Sequence, residues 1–152
     1  MQLIVLTGLP ASGKTTFYRE HFLHTHVRLS LDLCKTRERE DILLHACLAA
    51  KQPVVIDNTN ATVAARKHYL DLARSAGFKS SLYFVDVNTR QAVAMNSRRT
   101  GKSKVPNVAI FGTQKKLERP SQAEGYDEIF RVVPSSDEST VSFSLEPCEE
   151  IF

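Results

Sequence analysis

The sequence has only three cysteines, and no spacing pairs them. Cys34, Cys47 and Cys148 form neither a C-x-x-C motif nor a metal-ligand pattern, so we expect reduced structural thiols and a cytoplasmic location. The five histidines form no H-E-x-x-H motif or similar cluster. The sequence therefore predicts no disulfide framework and no histidine or cysteine metal site.

Long apolar runs are also missing. The apolar start "MQLIVLTGLP" lacks the basic n-region of a signal peptide and is too short to span a bilayer. We expect a core strand there and no membrane partner. The chain of 152 residues, 42% hydrophobic and 24% charged, fits one globular domain that buries a sizeable core.

The charges are unevenly distributed, although the net charge is only +3. Residues 90–119 contain eight basic side chains and one acidic side chain, whereas residues 120–152 contain eight acidic and one basic. A local basic patch can bind an anionic ligand even in a nearly neutral chain. A solvated helix face explains the same charges equally well.

Apolar runs alternate with helical patterns, which predicts parallel βαβ units. We expect strands at residues 3–7, 27–32, 53–57, 80–87 and 128–133, and intervening helices at 13–24, 37–51, 62–76, 89–99 and 108–118. The predicted fold class is α/β, a single-domain P-loop NTPase with a five-stranded, mainly parallel sheet flanked by helices and a basic lid. This domain would span residues 1–134, and residues 135–152 would form a C-terminal extension, either an edge strand or a loosely attached tail.

The sequence also predicts which side of one helix faces the core and where another helix begins and ends. In the helix at 37–51, Ile42, Leu43, Ala46 and Cys47 lie at helical spacing and should pack inward, while "RERED" should face solvent. The helix at 62–76 should follow a capping entry at Asn60-Ala61-Thr62, with Asn60 the favoured capping residue, and should end at Gly77.

Residues 8–15, "GLPASGKT", match the G-x-x-x-x-G-K-[ST] pattern directly between a predicted strand and a predicted helix. In such a loop the backbone amides bind phosphates, and a lysine adds charge near the β and γ oxygens. The hydroxyl of Thr15 would bind Mg²⁺. The residues expected to contact the nucleotide are Gly8, Pro10, Ala11, Ser12, Gly13, Lys14, Thr15, Thr16 and, from the basic region, Arg98.

Three aspartates, Asp32, Asp57 and Asp86, end predicted strands. Ligands of parallel α/β sheets bind at the carboxyl ends of the strands, so these residues are candidates for the cleft that holds Lys14. Asp32 could orient and deprotonate an acceptor hydroxyl, or could cap a helix that begins near Leu33. Asp57 could act on Mg²⁺ through water, or "DNTN" could simply turn the chain.

The segment "NSRRTGKSK" places Arg98, Arg99, Lys102 and Lys104 around a Thr-Gly break. This pattern predicts a mobile basic lid whose closure excludes water and whose arginine stabilises charge on a transferring phosphoryl group. A GTPase would instead need a guanine-reading N-K-x-D segment, which the sequence lacks.

Together these motifs resemble the P-loop kinases related to polynucleotide 5′-kinase, including small bacterial predicted kinases. The resemblance covers residues 1–134 and is carried by "GLPASGKTTF", "LSLD", "VVIDNTN" with Arg66 downstream, "NSRRTGKSKVP" and "ERPSQAEGYDEIFRV". It implies that Asp32 is the general base and Arg99 the lid arginine. Two arginines typical of the family are replaced by Lys35, which keeps the charge without the bidentate fork, and by Met95.

We therefore expect a kinase that uses ATP and Mg²⁺ and transfers the γ-phosphoryl group to a hydroxyl, with a 5′-hydroxyl end of DNA or RNA as the leading acceptor. The expected catalytic residues are Asp32, Lys14 and Arg99. The expected acceptor contacts are Lys35, Asp57, Asn58 and Arg66. A kinase of a nucleoside or another small-molecule alcohol, and a regulatory module that binds nucleotide without transfer, are the alternatives.

Overall fold

A single sheet of six strands runs through the centre of the protein. The structure is a computed structural model that describes residues 1–135 and 142–147. The strands are β1 (Gln2–Thr7), β2 (Val27–Leu29), β3 (Val54–Asp57), β4 (Lys79–Val85), β5 (Glu128–Pro134) and β6 (Phe143–Pro147). Their order is β2-β3-β1-β4-β5-β6. The first five are parallel, and β6 pairs antiparallel with β5. The predicted α/β class with five parallel strands is thus confirmed, and the sixth strand lies in the segment for which an edge strand was one of two alternatives.

Helices cover both faces of this sheet. In the described ranges they are α1 (Lys14–His21), α2 (Leu31–Cys34), α3 (Arg37–Ala49), α4 (Val63–Ser75), α5 (Thr89–Ser97) and α6 (Asn107–Lys116). Short 3-10 turns occur at Gly101–Ser103 and Gln122–Glu124. No helix in this part of the chain has the length and apolar character needed to cross a membrane.

The central strand β1 is buried on both faces, and its position determines where the loop that follows it lies. Leu3 and Val5 pack with residues of α3 and α4 on one face, whereas Ile4 and Leu6 pack with α1 on the other. Such two-sided burial is typical of parallel sheets covered by helices. Because β1 lies between β3 and β4, the loop after β1 begins beside the end of β3.

Strand β2 ends earlier than the sequence predicted. It stops at Leu29, and the hydroxyl of Ser30 accepts a hydrogen bond from the amide of Leu33, which caps the short helix α2. Asp32 therefore lies in the first turn of a helix and not at the end of a strand. The capping role considered for Asp32 belongs to Ser30, because a serine in extended conformation suits that position.

Helix α3 presents a different face to the core than the one predicted. Ile42 and Leu43 are 62% and 47% exposed, whereas Leu44 is fully buried. Glu40, predicted to face solvent, is only 3% exposed. The hydroxyl of Tyr69 and the side-chain amide of Asn58 both donate to its carboxylate. These bonds satisfy the buried charge, because a buried carboxylate needs donors in place of water.

The ends of α4 follow the prediction in part. Thr62 caps the helix by accepting from the amide of Ala65, so the cap lies within the predicted Asn60-Ala61-Thr62 entry, but Asn60 is not the capping residue. Asn60 instead adopts a φ of 45° and donates to the carbonyl of Leu6. Gly77 follows the helix with a φ of 72°, a conformation that glycine adopts without steric cost.

The C-terminal segment contributes β6, whose Phe143 packs edge-on against Phe17 of α1 with ring centroids 5.3 Å apart. Residues 136–141 and 148–152 of the predicted extension, including Cys148, lie outside the described residues. A domain boundary at residue 134 stays a prediction.

Gly8 offers a test of the packing beneath the loop after β1. Its φ is +151°, and an added Cβ would lie 2.8 Å from the carbonyl oxygen of Val85. We expect Gly8→Ala to lower the free energy of unfolding by about 2 kcal/mol or more. Gly112→Ala is the matched control, because a Cβ at this position in α6 meets nothing within 4 Å. It should stabilise the protein by up to about 1 kcal/mol. Urea denaturation measures the free energy of unfolding of both variants. Equal values would contradict the expected clash between a Cβ at position 8 and the carbonyl oxygen of Val85.

Candidate active site

One cleft opens where β1, β2 and β3 end, and it brings the main predicted site residues together. Its volume is about 300 Å³. Lys14, Asp32, Asp57 and Arg99, which are spread over 86 positions of the chain, all line it. The remaining lining residues are Pro10, Ala11, Ser12, Gly13, Thr15, Arg28, Leu31, Arg37, Asn58, Thr59 and Val105.

The phosphate loop leads into α1 through two residues with positive φ. Ala11 has a φ of 61° and Gly13, at the helix cap, a φ of 99°. Because Gly13 has no side chain, it does not cap the first amides of α1 itself. Free amides and the helix dipole at such an N-terminus favour an anion. The loop geometry therefore fits a phosphate group.

Lys14 lies folded over this loop. Its Nζ donates to the carbonyl oxygens of Gly8 at 3.1 Å and Leu9 at 2.7 Å. Burial lowers the pKa of Lys14 to about 8; the charges of Asp57 and Asp32 act to raise that pKa, and the charge of Arg99 acts to lower it. A bound phosphate would favour the charged ammonium, because an opposite charge nearby stabilises the ionised form.

Asp57 is the most buried carboxylate of the cleft, and two other side chains meet at one of its oxygens. The Thr15 hydroxyl donates to Asp57 Oδ2 at 2.8 Å. Arg28 Nε donates to the same oxygen at 2.7 Å, and Arg28 Nη2 lies 3.2 Å from Thr15 Oγ1. The Asp57 side chain is only 2% exposed. Sequence reasoning missed Arg28, although a cation inside a strand that leads into the predicted cleft was a usable signal.

The oxygens of Thr15 and Asp57 fit a magnesium ion. Mg²⁺ usually binds one or two protein oxygens and completes its octahedron with waters and substrate phosphates. Two hard oxygen ligands beside a phosphate loop match that requirement. The described residues contain no group of three or more histidine, cysteine or acidic side chains that could hold a metal ion alone. We therefore add Asp57 to Thr15 as a candidate metal contact.

The opposite wall of the cleft carries Asp32, and Asn58 fixes the helix on which it lies. Asn58 Oδ1 accepts from the amide of Leu31 at 2.9 Å, while its Nδ2 donates to the buried Glu40 at 2.8 Å. Asp32 itself is exposed to the cleft. Asn58 is thus a positioning residue for the start of α2, and its carboxamide is already engaged with protein groups.

Arg37 is another cation of the cleft, although the sequence predicted that it faces solvent. Its Nη1 donates to the hydroxyl of Tyr69 at 2.9 Å, and the same nitrogen lies 3.5 Å from Glu40 Oε1. The rest of the guanidinium is exposed and lines the same cavity as Asp32. Lys35, the predicted acceptor contact, is exposed and does not line the cleft.

Arg66 is not at the cleft, which corrects its assignment as a substrate contact. It is fully buried, and its Nε and Nη2 donate to the two carboxylate oxygens of Glu124 at 2.8 and 3.0 Å. Its other bonds go to the carbonyl oxygens of Asn60, Ala61 and Glu118. Arg66 therefore ties the segment after α6 to the segment after β3, and it holds the fold together.

Four other predicted residues also do not line the cleft. Asp86 pairs with Arg131 at 2.8 Å, outside the cleft. Gly8, Thr16 and Arg98, all expected at the nucleotide, are not among the residues that line the cavity. Arg98 follows the last residue of α5 and is exposed, whereas the next residue, Arg99, lines the cleft.

The lid is anchored by a buried asparagine that sequence reasoning missed. Asn96, 1% exposed, donates to the carbonyl of Val105 at 2.6 Å and accepts from its amide at 3.0 Å. This pair of bonds closes the loop between α5 and α6. Arg99, inside that loop, donates to the carbonyl of Ser103 at 3.1 Å. Arg99 lines the same cavity as the residues of the phosphate loop.

A family model described as an AAA domain (AAA_33) matches residues 3–120. The chain belongs to this family. The match covers the phosphate loop, all three strands that end at the cleft, and the lid, and it confirms the predicted resemblance to P-loop kinases.

Two curated relatives match nearly the whole chain at low identity. A bifunctional polynucleotide phosphatase/kinase of Schizosaccharomyces pombe is 24% identical over 137 residues, which is 86% of this chain and 33% of the relative. A protein of Acanthamoeba polyphaga mimivirus, provisionally given the same name, is 29% identical over 145 residues, which is 91% of this chain and 34% of the relative. The chain thus spans about a third of the length of these relatives.

Solved structures share the fold. Kti12 of Chaetomium thermophilum, in complex with ADP-AlF3, superposes with a TM-score of 0.66 at 22% identity, over 90% of this chain and 92% of that chain. A gluconokinase from Sinorhizobium meliloti gives a TM-score of 0.60 at 18% identity, over 87% and 82% of the two chains. At these identities the likeness shows the α/β P-loop kinase fold alone.

The buried pair of Arg66 and Glu124 yields a stability prediction. Arg66→Met should lower the free energy of unfolding by about 3–5 kcal/mol, because it leaves the Glu124 carboxylate buried without its partner. The double variant Arg66→Met with Glu124→Gln should lose less than the single variant, since it removes the stranded charge. Denaturant unfolding measures these two variants and the single variant Glu124→Gln. A double variant that is less stable by the full sum of the two single effects would show that the two residues are not coupled.

Proposed function

We propose that the protein is a kinase that transfers the γ-phosphoryl group of ATP to a hydroxyl acceptor with the help of Mg²⁺. The observation that carries this proposal is the division of one cleft into two halves. A phosphate loop with Lys14 and the Thr15–Asp57 pair forms one half, and the exposed carboxylate of Asp32 forms the other. Phosphoryl transfer needs these two halves within reach of each other.

The donor half would bind the triphosphate. The loop amides and Lys14 would contact its oxygens, and Thr15 and Asp57 would hold Mg²⁺. When bound, the metal ion would neutralise charge on the β and γ phosphates. Arg99, held on the lid beside the loop, would stabilise the charge that spreads over the transferring group.

The acceptor half would activate the hydroxyl. Asp32 makes no ion pair within the described part of the chain, so its carboxylate is available as a proton acceptor. The acceptor oxygen would form a bond to the γ-phosphorus while Asp32 takes its proton. The bond from that phosphorus to the β–γ bridging oxygen would break, and ADP would leave with the bridging oxygen.

A polynucleotide 5′-hydroxyl is the acceptor that we propose first. The names of the two curated relatives favour it, and so does Arg37. A guanidinium near Asp32 suits an acceptor that carries an anion, because arginine binds phosphate and carboxylate oxygens bidentately. A small-molecule alcohol with its own carboxylate would fit the same pair, so this is the second candidate, favoured by the likeness to a gluconokinase.

A cytoplasmic location stays part of this proposal. Cys34 and Cys47 are free thiols, as is usual in reducing compartments.

A transfer assay with γ-labelled ATP tests the reaction. The acceptors would be DNA and RNA with a 5′-hydroxyl, the same oligonucleotides with a 5′-phosphate, nucleosides, and aldonic acids. We expect label on the 5′-hydroxyl strands and none on the strands that are already phosphorylated. Label on small molecules alone would overturn the polynucleotide acceptor, and ATP binding without label on any acceptor would favour the regulatory module.

The role of Asp32 can be tested separately. We expect Asp32→Asn to abolish transfer while ATP still binds, because the amide keeps the size of the side chain but cannot accept the proton at neutral pH. Single-turnover transfer and equilibrium binding of a fluorescent ATP analogue measure the two properties. A variant that turns over as fast as the wild-type protein would rule out Asp32 as the base.

Arg99→Ala should raise the barrier to transfer by about 2–4 kcal/mol, as removal of other preorganised charge stabilisers does. ATP affinity should change far less, because the charge that Arg99 meets grows in the transition state. Arg98→Ala is the matched control, since Arg98 neighbours Arg99 but does not line the cleft. Equal single-turnover rates for the two variants would contradict the assignment.

A further inference from the structure

Arg28 contacts both side chains that would hold the metal ion. Its Nε donates to Asp57 Oδ2 at 2.7 Å, and its Nη2 donates to Thr15 Oγ1 at 3.2 Å. The Thr15 hydroxyl in turn donates a hydrogen bond to Asp57 Oδ2. The guanidinium thus bridges the two oxygen ligands at once, and it is largely buried, with 19% of its side chain exposed.

A guanidinium in this position competes with a divalent cation. Both are positive, and both need lone pairs of the same oxygens, Thr15 Oγ1 and Asp57 Oδ2. The repulsion between the two cations is strong because the site is shielded from water. Arg28 must therefore move away before Mg²⁺ can contact this pair directly.

The charge of the cleft acts in the same direction. Four cationic side chains and two carboxylates line it, a net formal charge of +2: Lys14, Arg28, Arg37 and Arg99 against Asp32 and Asp57. A bare divalent ion is repelled by such a cavity. A polyphosphate reverses the sign and offers oxygens that can accept the displaced guanidinium.

We propose that Arg28 and Mg²⁺ are alternative partners of the Thr15–Asp57 pair, so that the metal ion binds only together with the nucleotide phosphates. Arg28 would hold the metal ligands in place in the free protein. It would then be released toward the phosphates when the metal–nucleotide complex enters. This inference rests on the metal site of the proposed kinase, and it adds Arg28 to that site as a positioning residue.

Binding of Mn²⁺ in the absence of nucleotide tests the competition. Mn²⁺ prefers the same oxygen ligands, and its free concentration can be followed by electron paramagnetic resonance. We expect weak binding to the wild-type protein and about tenfold or more tighter binding to Arg28→Gln, because the competing charge is removed. ADP should strengthen Mn²⁺ binding to the wild-type protein more than binding to the variant. Only the wild-type protein has an Arg28 side chain that the nucleotide can displace from the metal ligands.

Arg99→Gln is the matched control. It removes one positive charge from the same cleft, but Arg99 donates to the carbonyl of Ser103 and not to the metal ligands. If its Mn²⁺ affinity rises as much as that of Arg28→Gln, net charge alone explains the effect and the proposal fails. The double variant Arg28→Gln with Asp57→Asn should lose the gain, which would place the bound ion at Asp57.

Equal Mn²⁺ affinities of Arg28→Gln and the wild-type protein would overturn the proposal, provided that circular dichroism shows a folded variant. If Arg28→Gln does not fold, Arg28→Lys serves instead. A single ammonium keeps the charge but lacks the two-sided contact, so Mn²⁺ affinity should rise by a smaller factor, and no rise would count against the proposal. Because the measurement contains no acceptor and no ATP, its outcome is independent of whether transfer occurs.

Discussion

The buried carboxylate of Asp57 is the constraint on which the donor half of the cleft depends. A charge with 2% exposure of its side chain is tolerated only when hydrogen bonds and opposite charges replace water. Thr15 and Arg28 supply those bonds, and the negative charge of Asp57 counteracts the effect of burial on the pKa of Lys14. The phosphate loop, β2 and β3 are thereby joined at one oxygen atom.

The acceptor half begins one residue later, at Asn58. This side chain links the amide of Leu31 to the buried Glu40, which also accepts from Tyr69. The first turn of α2, with Asp32, is therefore fixed relative to α3 and α4. Two adjacent residues at the end of β3 thus organise the two proposed halves of the cleft.

Features encoded locally could be predicted from the sequence, and features that depend on distant partners could not. The phosphate loop and the parallel strands follow from short patterns, so their prediction was accurate. Arg66 was misplaced because its partner Glu124 lies 58 residues away. Glu40 and Asn96 carry no local sign of burial. The early end of β2 was a missed local signal, since Ser30 is a good helix cap.

We expect donor and acceptor to meet in this one cleft and the phosphoryl group to pass between them in a single displacement. The most direct measurement is the stereochemical course of transfer from ATP made chiral at the γ-phosphorus with oxygen isotopes. A single in-line displacement predicts inversion of configuration at phosphorus in the product. Retention would contradict the account, because it would require a phosphorylated protein side chain between donor and acceptor.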